Sequence, residues 1–366
     1  MKLNQLTFTR FLAALAIVVF HAHSNIWPFT QSFLHTIFNK ANVGVSYFFI
    51  LSGFVMMIAY GKNKEVKIKK SSYYLNRVAR IYPVYIVALI LAVAVIFVKT
   101  HSILVQPLIL QLFVVQSWVP GSIDKLNFPG WSLSVEALFY LCFPFLFNYV
   151  YRRISLKWVS IFVILVWLTT QILFNYLLST SFYTGYPSKS HDLLFYFPLM
   201  HLNEFLIGNM LGLVYFRLIK AKKNYDLAII LLVAVMFIAL SFNTIVNIDD
   251  GLTAVFFAPL IILLSLNNGK ITTIFSNKYL MILGEASYSM YILQAPIKSC
   301  IKFLFDKLHI INDNLFFYLF LIILIAISIT CYYVIEIPAR DWIKNLKTIF
   351  KIKKSKLNPV DDSVNF

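Results

Sequence analysis

The chain has 366 residues, of which 60% are hydrophobic and 13% charged, and it carries a formal net charge of +17. Soluble domains carry roughly a quarter charged residues, so this composition excludes a soluble globular fold and requires lipid around the apolar surface. The positive charge does not point to nucleic acid, because Lys and Arg fall in short segments between apolar runs, the pattern of cytoplasmic loops. Such loops meet membrane lipid head groups or an anionic cofactor. Cys142, Cys300 and Cys331 lie in or beside apolar runs without metal-ligand spacing, and read as small buried hydrophobes.

A spanning helix needs about 20 mostly apolar residues. In chain order the candidates are 6–24, 43–60, 82–98, 131–150, 157–178, 193–216, 226–243, 252–267, 280–301 and 315–336. The first follows a basic flank with no small-residue cleavage site after it, and reads as a retained helix. An eleventh run, 103–118, is short, contains Gln106, Gln111 and Gln116, and leads into Pro120–Gly121. Charge decides its fate. If it does not cross and the N-terminus is cytoplasmic, 25 of the 32 Lys and Arg fall inside, as the positive-inside rule asks. The outside keeps Lys40, Lys99, Lys125, Lys189, Lys298, Lys302 and Lys307. The expectation is an all-α integral protein of about ten transmembrane helices with both termini cytoplasmic, multi-pass in the inner (plasma) membrane. Residues 1–340 form the membrane domain, 341–366 a basic cytoplasmic tail, and 103–118 a re-entrant or interfacial piece.

Ionisable residues within a bilayer are costly and mark function or internal pairing. Arg10 and His21 are eleven residues apart, close to three turns, so they share a face of the first helix about 16 Å apart. His23 turns to another face, which favours His21. The same spacing also suits a positive-inside anchor and a packed histidine. Trp131 opens a helix that carries Ser132, Ser134 and Glu136. Counting from the helix ends places Glu136 and His21 at one depth, and a carboxylate beside an imidazole equips it as a general base. Arg77 and Arg80, preceded by five lysines, open the helix expected from Ile81–Tyr82–Pro83. There they would offer a phosphate site at a helix N-terminus, suited to coenzyme A or to lipid head groups.

Together these positions resemble acyltransferase family 3, membrane acyltransferases that include enzymes O-acylating bacterial polysaccharide and peptidoglycan. The resemblance rests on Arg10–Phe–Leu–Ala with His21; Gly44–Val–Ser–Tyr–Phe–Phe–Ile–Leu–Ser52–Gly–Phe54; Arg77–Val–Ala–Arg80–Ile–Tyr–Pro; Trp131–Ser–Leu–Ser–Val–Glu136–Ala–Leu–Phe–Tyr140; Gly284–Glu–Ala–Ser–Tyr–Ser–Met–Tyr291; and Ile335–Glu336–Ile–Pro338. Two positions depart from the pattern. His201 precedes Glu204–Phe–Leu–Ile–Gly208 where the family often has Arg, and Gln294 stands where it often has His.

The resemblance implies transfer of an acyl group, by default acetyl, from cytoplasmic acyl-coenzyme A to a hydroxyl of an extracytoplasmic glycan or lipid-linked saccharide. His21 would be base or acyl carrier, oriented by Glu136. Arg10, Arg77 and Arg80 would bind acyl-CoA, while Ser52, Tyr140, His201, Glu204 and Gln294 would serve the acceptor or support the site. Acyl-CoA enters as co-substrate; no tightly bound cofactor, metal or nucleic acid is expected. Trp118, Asp124, His191 and Asp192 are scattered outer candidates for sugar contact. A transporter or flippase would also place polar residues at mid-depth, and a sensor would use them as helix glue.

Overall fold

In lipid a helix satisfies its own backbone N–H and C=O groups, and helices are what this sequence forms. The computed structural model describes residues 3–22, 26–63, 65–242 and 251–343; it is 78% helical, with no strands among the described residues. In order the helices are α1 (Asn4–Phe20), α2 (Ser32–Phe38), α3 (Gly44–Tyr60), α4 (Lys70–Thr100), α5 (Val105–Leu112), α6 (Trp131–Phe145), α7 (Leu156–Ser179), α8 (Lys189–Phe195), α9 (Leu202–Leu218), α10 (Asp226–Ser241), α11 (Ala254–Leu266), α12 (Lys270–Phe275), α13 (Lys278–Lys307) and α14 (Asp313–Cys331). π-helical turns extend α6 through Tyr151 and α14 through Glu336.

Six helical stretches among the described residues are long and apolar enough to cross a membrane: those of α3, α4, α6, α7, α9 and α14, with α1, α10 and α11 shorter but apolar. α13 runs for 30 residues with several charges. The bundle's outer wall is apolar too: Ile172 and Leu227 are each 70% exposed and Ile322 66%, a face that only lipid would cover.

α1 lies inside the bundle, along α13 and against α3 and α11, while α3 pairs with α9 and α13 with α14 and α4. The tightest crossings fall on glycines from the motifs. A Cβ on Gly53 would strike the carbonyl of Phe205, and one on Gly208 the carbonyl of Ile50. α3 and α9 therefore meet backbone to backbone, as small residues permit in membranes. A Cβ on Gly284 would likewise strike the Thr7 carbonyl, so α13 seats directly on α1 one turn below Arg10.

Two expected elements are corrected. α4 begins at Lys70, not Ile81: Pro83 sits inside it, so Arg77 and Arg80 lie two turns and more within the helix rather than at its N-terminus. The run 193–216 breaks into α8 and α9 across Tyr196–His201, a stretch containing Pro198. The run 103–118 yields only the eight-residue α5, about 12 Å long and too short to cross, after which the chain turns back. Tyr82 and Tyr85 of α4 donate to the Leu112 and Gln111 carbonyls at 2.9 and 2.7 Å, and Gln111 and Gln116 are fully buried. At the far end the helix continues to Ile343, past the boundary expected at 340; His23, Lys2 and most of the basic tail lie outside the described residues.

Replacing Gly208 by Val should destabilise the protein by about 2–3 kcal/mol or more, the cost of overpacking a closed contact. Thermal unfolding in detergent checks this, with Ser241→Ala as the mild comparison.

Candidate active site

His21 caps the C-terminal end of α1. Its Nδ1 lies 3.0 Å from Oε1 of Gln294 on α13, and Gln294 Nε2 donates to the Tyr291 carbonyl at 2.9 Å. The second bond fixes the first: with its NH₂ committed to a carbonyl, Gln294 turns its acceptor to the imidazole, so Nδ1 must carry the proton. Nε2 is then left with a lone pair, the arrangement of a base. The ring fronts a cavity of about 280 Å³ lined by Val18, Phe128, Pro129, Lys298, Ser299 and neighbours. Lys298 donates to the His21 carbonyl at 2.7 Å.

The roof of this cavity comes from the loop after α5. Pro296 of α13 has no N–H, which frees the carbonyl of Ile292 four residues earlier. Asn127 Nδ2 donates to that carbonyl at 3.0 Å. The anchored loop places the Phe128 ring edge-on to His21, centroids 5.9 Å apart. Gln116 Nε2 and Ser117 Oγ bond the carbonyls of Gly130 and Trp131, tying the return of the loop to the start of α6.

That loop also explains why Glu136 is not where depth counting put it. The chain is already at the His21 level by Phe128, so Glu136 lies eight residues further in, about 12 Å. Its Oε2 accepts from Tyr140 at 3.1 Å, and its charged neighbours are Arg10, Arg77 and Arg80. Gln294, not Glu136, holds the imidazole.

A half-buried ionic cluster lies at the other end of the bundle from His21. Arg80 Nη2 lies 3.7 Å from Glu285 Oε2; Glu285, Glu136 and Glu336 are the carboxylates acting on Arg10. Glu336 accepts from Ser289 at 2.5 Å. Arg77 is flanked by the rings of Tyr73 and Tyr140 at 5.5 and 5.7 Å and bonds Tyr60. Its Nε is buried with no hydrogen-bond partner among the described residues. Tyr60 and Tyr73 also line a hollow of about 400 Å³ with Lys62, Lys67, Lys69 and Ser72. The N-terminus of α4 opens there, at Lys70 rather than beside Arg77. Between the two ends, Tyr291 bonds Ser132 and feels Glu136, one turn inward from Gln294. Tyr291 thus stands between the arginine cluster and His21, its hydroxyl in the field of Glu136 and its carbonyl holding Gln294.

A family model described as an acyltransferase domain matches residues 3–333. The chain belongs to acyltransferase family 3. Acyltransferase MdmB of Streptomyces mycarofaciens is 34% identical over 167 residues, 43% of this chain and 42% of that protein. The Staphylococcus aureus (strain COL) protein named "Putative O-acetyltransferase SACOL0978" is 24% identical over 312 residues, 77% of this chain and 48% of that protein. The chain spans about half the length of the curated relatives it matches. No solved structure matches it. The family domain and several membrane-length apolar helices together mark a multi-pass membrane member of this family.

The two departures from the acyltransferase family 3 pattern have different surroundings. Gln294 sits on the candidate base. His201 and Glu204 are buried and bonded to each other at 2.9 Å, with His201 Nε2 on the Phe195 carbonyl at 3.0 Å. Both imidazole nitrogens are engaged, so His201 holds the α8–α9 break together and is not placed to be a base. Trp131 and Tyr196 pack between it and Phe128 through tilted and edge-on ring contacts. Ser52 is half-buried on α3 beside the Gly53 crossing, and Tyr140 belongs to the inner cluster.

The outer candidates gather. Asp124 and Asp192 line a hollow of about 210 Å³ with Lys125, Tyr186, Tyr196 and Phe128, and Asp192 Oδ2 accepts from the Gly121 amide at 2.6 Å. Trp118 packs on Phe197. Sequence reasoning missed Lys298, Phe128 and Tyr291. Lys298 was within reach, since it follows Gln294 by four residues and so shares its face; Phe128 depends on a loop path that periodicity cannot give.

His191 stacks on Phe195 at 4.3 Å and meets Tyr183 Oη at 3.2 Å, and burial holds its pKa below the usual imidazole value. A lowered folded-state pKa means stability is fully present above about pH 6.5 and is lost as pH falls through the folded value. Amide exchange in residues 183–196 should therefore quicken on acidification below pH 6, and should not do so in His191→Phe.

Proposed function

We propose that the protein transfers an acyl group, by default acetyl, from cytoplasmic acyl-coenzyme A to a hydroxyl of an extracytoplasmic glycan or lipid-linked saccharide. The observation that carries the reading is the free Nε2 of His21, fixed as an acceptor through Gln294 and facing a cavity. In this reading ten helices cross the inner membrane with both termini inside, which puts the lysine-lined hollow in the cytosol and the His21 cavity towards the outside.

Lys62, Lys67, Lys69 and the opening turn of α4 take the nucleotide phosphates, and Arg77 and Arg80 draw the donor inward past Arg10. The pantetheine arm, on the order of 15–20 Å at roughly 3.3 Å per residue-sized unit, runs past Tyr291 to the cavity. His21 Nε2 removes the acceptor hydroxyl proton as the oxygen attacks the thioester carbonyl. The C–S bond breaks, and the thiolate takes a proton to leave as free coenzyme A. If His21 instead accepts the acyl group, Nε2 itself attacks and the alcohol displaces it in a second step. Lys298 on the His21 carbonyl and Gln294 on Nδ1 hold the imidazole still in either route. Glu136 balances the arginines and reaches His21 only through Tyr291 and Gln294.

Inverted membrane vesicles given radiolabelled acetyl-coenzyme A should label a membrane glycan. His21→Ala should lower the rate about 10²–10⁴-fold, the span of a lost general base; full labelling by that variant overturns the reading. Arg77→Ala with Arg80→Ala should raise the donor KM about ten-fold, the scale of a lost charged contact, with the acceptor KM unchanged.

A further inference from the structure

Outer loops of a membrane protein are poor in Lys and Arg, so the seven expected outside are worth locating. Lys99, Lys298 and Lys302 converge on one basin. It is about 600 Å³, its lining also includes Ser299, Phe305, Asp306, Asp313 and Phe316, and it lies at the outer ends of α4 and α13 and the start of α14. Its acids do not cancel its bases. Lys302 and Asp306 pair at 3.0 Å, and Asp313 lies in the first turn of α14, where the helix dipole offsets its charge. Lys99 and Lys298 have no carboxylate partner among the described residues. Phe305 and Phe316 pack edge-on behind them at 5.4 Å.

The basin adjoins the transfer centre. Lys298 and Ser299 line both it and the His21 cavity, and the Lys298 ammonium is one hydrogen bond from the His21 backbone. A group bound to Lys298 from the outer side would hold its own molecule within a sugar ring's reach of the imidazole.

We propose that this basin binds a phosphate or pyrophosphate group borne by the acceptor, so that the enzyme acylates a phosphate-linked saccharide. The inference rests on the reading of His21 as the transfer centre. Lysines suit phosphate as compact point charges. Those of the basin reach it from two helices, Lys99 on α4 and Lys298 and Lys302 on α13, giving a site wide enough for a diester or pyrophosphate rather than a single-point anchor. Neutral glycans lacking that group would reach His21 without being held.

The test is site-resolved lysine labelling of the full-length protein in an uncharged detergent. An amine-reactive reagent is applied with and without inorganic pyrophosphate, and each lysine is read by peptide mass spectrometry. Pyrophosphate should slow labelling of Lys99 and Lys298 about ten-fold, the scale of two charge contacts, and leave Lys40 unchanged. Ser299→Glu should abolish the protection without unfolding the protein, as melting confirms. A parallel arm uses phosphatidylcholine vesicles with and without phosphatidylglycerol. Protection by phosphatidylglycerol alone would assign the phosphate to bulk lipid and overturn the acceptor assignment, and no protection in either arm overturns the site itself. The readout needs no acyl transfer: protection that persists in His21→Ala supports the basin whatever that variant's activity, and failed protection leaves the His21 chemistry standing.

Discussion

The pairing of α1 with α13 is the constraint from which the site follows. The two helices run parallel and touch backbone to backbone where Gly284 meets Thr7, and that single crossing sets the register between them. It puts Arg10 in the field of Glu285, and several turns higher it puts His21 against Gln294 and Lys298. One helix pair therefore holds Arg10 and the candidate base His21 in fixed relation. A bulkier residue at position 284 would shift both ends at once.

The interior of this bundle is costly by the standards of lipid. Isolated charges at membrane depth cost several kcal/mol each, yet Arg10, Arg77 and Arg80 gather with Glu136, Glu285 and Glu336. Mutual compensation makes the cluster tolerable, and tyrosines at 60, 73 and 140 shield Arg77 from the acyl chains. Arg77 nonetheless keeps a buried Nε without a partner. A protein that needed these residues only for packing would have an easier solution in apolar side chains. The expense fits the proposed passage of an anionic, extended donor.

Much of this was legible in the sequence, and what was not has physical causes. Apolar runs located the helices because lipid demands about twenty such residues in a row, and the Gln-rich, short run 103–118 betrayed its failure to cross. Arg10 and His21 shared a face simply by count. Pro83 is a good opening residue for a helix, which suggests a start at Ile81, and only the continuous helix from Lys70 shows it in the interior. Glu136 was set at the wrong level because a count from Trp131 assumes the loop before it stays at the surface. Asn127 pulls that loop inward through a carbonyl that Pro296 leaves open, a link of 165 residues in sequence that no local pattern encodes.

The account stands on a donor route that enters beside the lysine-lined hollow and ends at His21. A cryo-EM map of the protein with a non-hydrolysable thioether analogue of acetyl-coenzyme A tests it most directly. Nucleotide density between Lys62 and Lys69, with the analogue's terminal carbons within about 4 Å of the His21 imidazole, is the predicted result. Density that enters from the outer face, or that ends among Glu136 and the arginines with no path to His21, would contradict it.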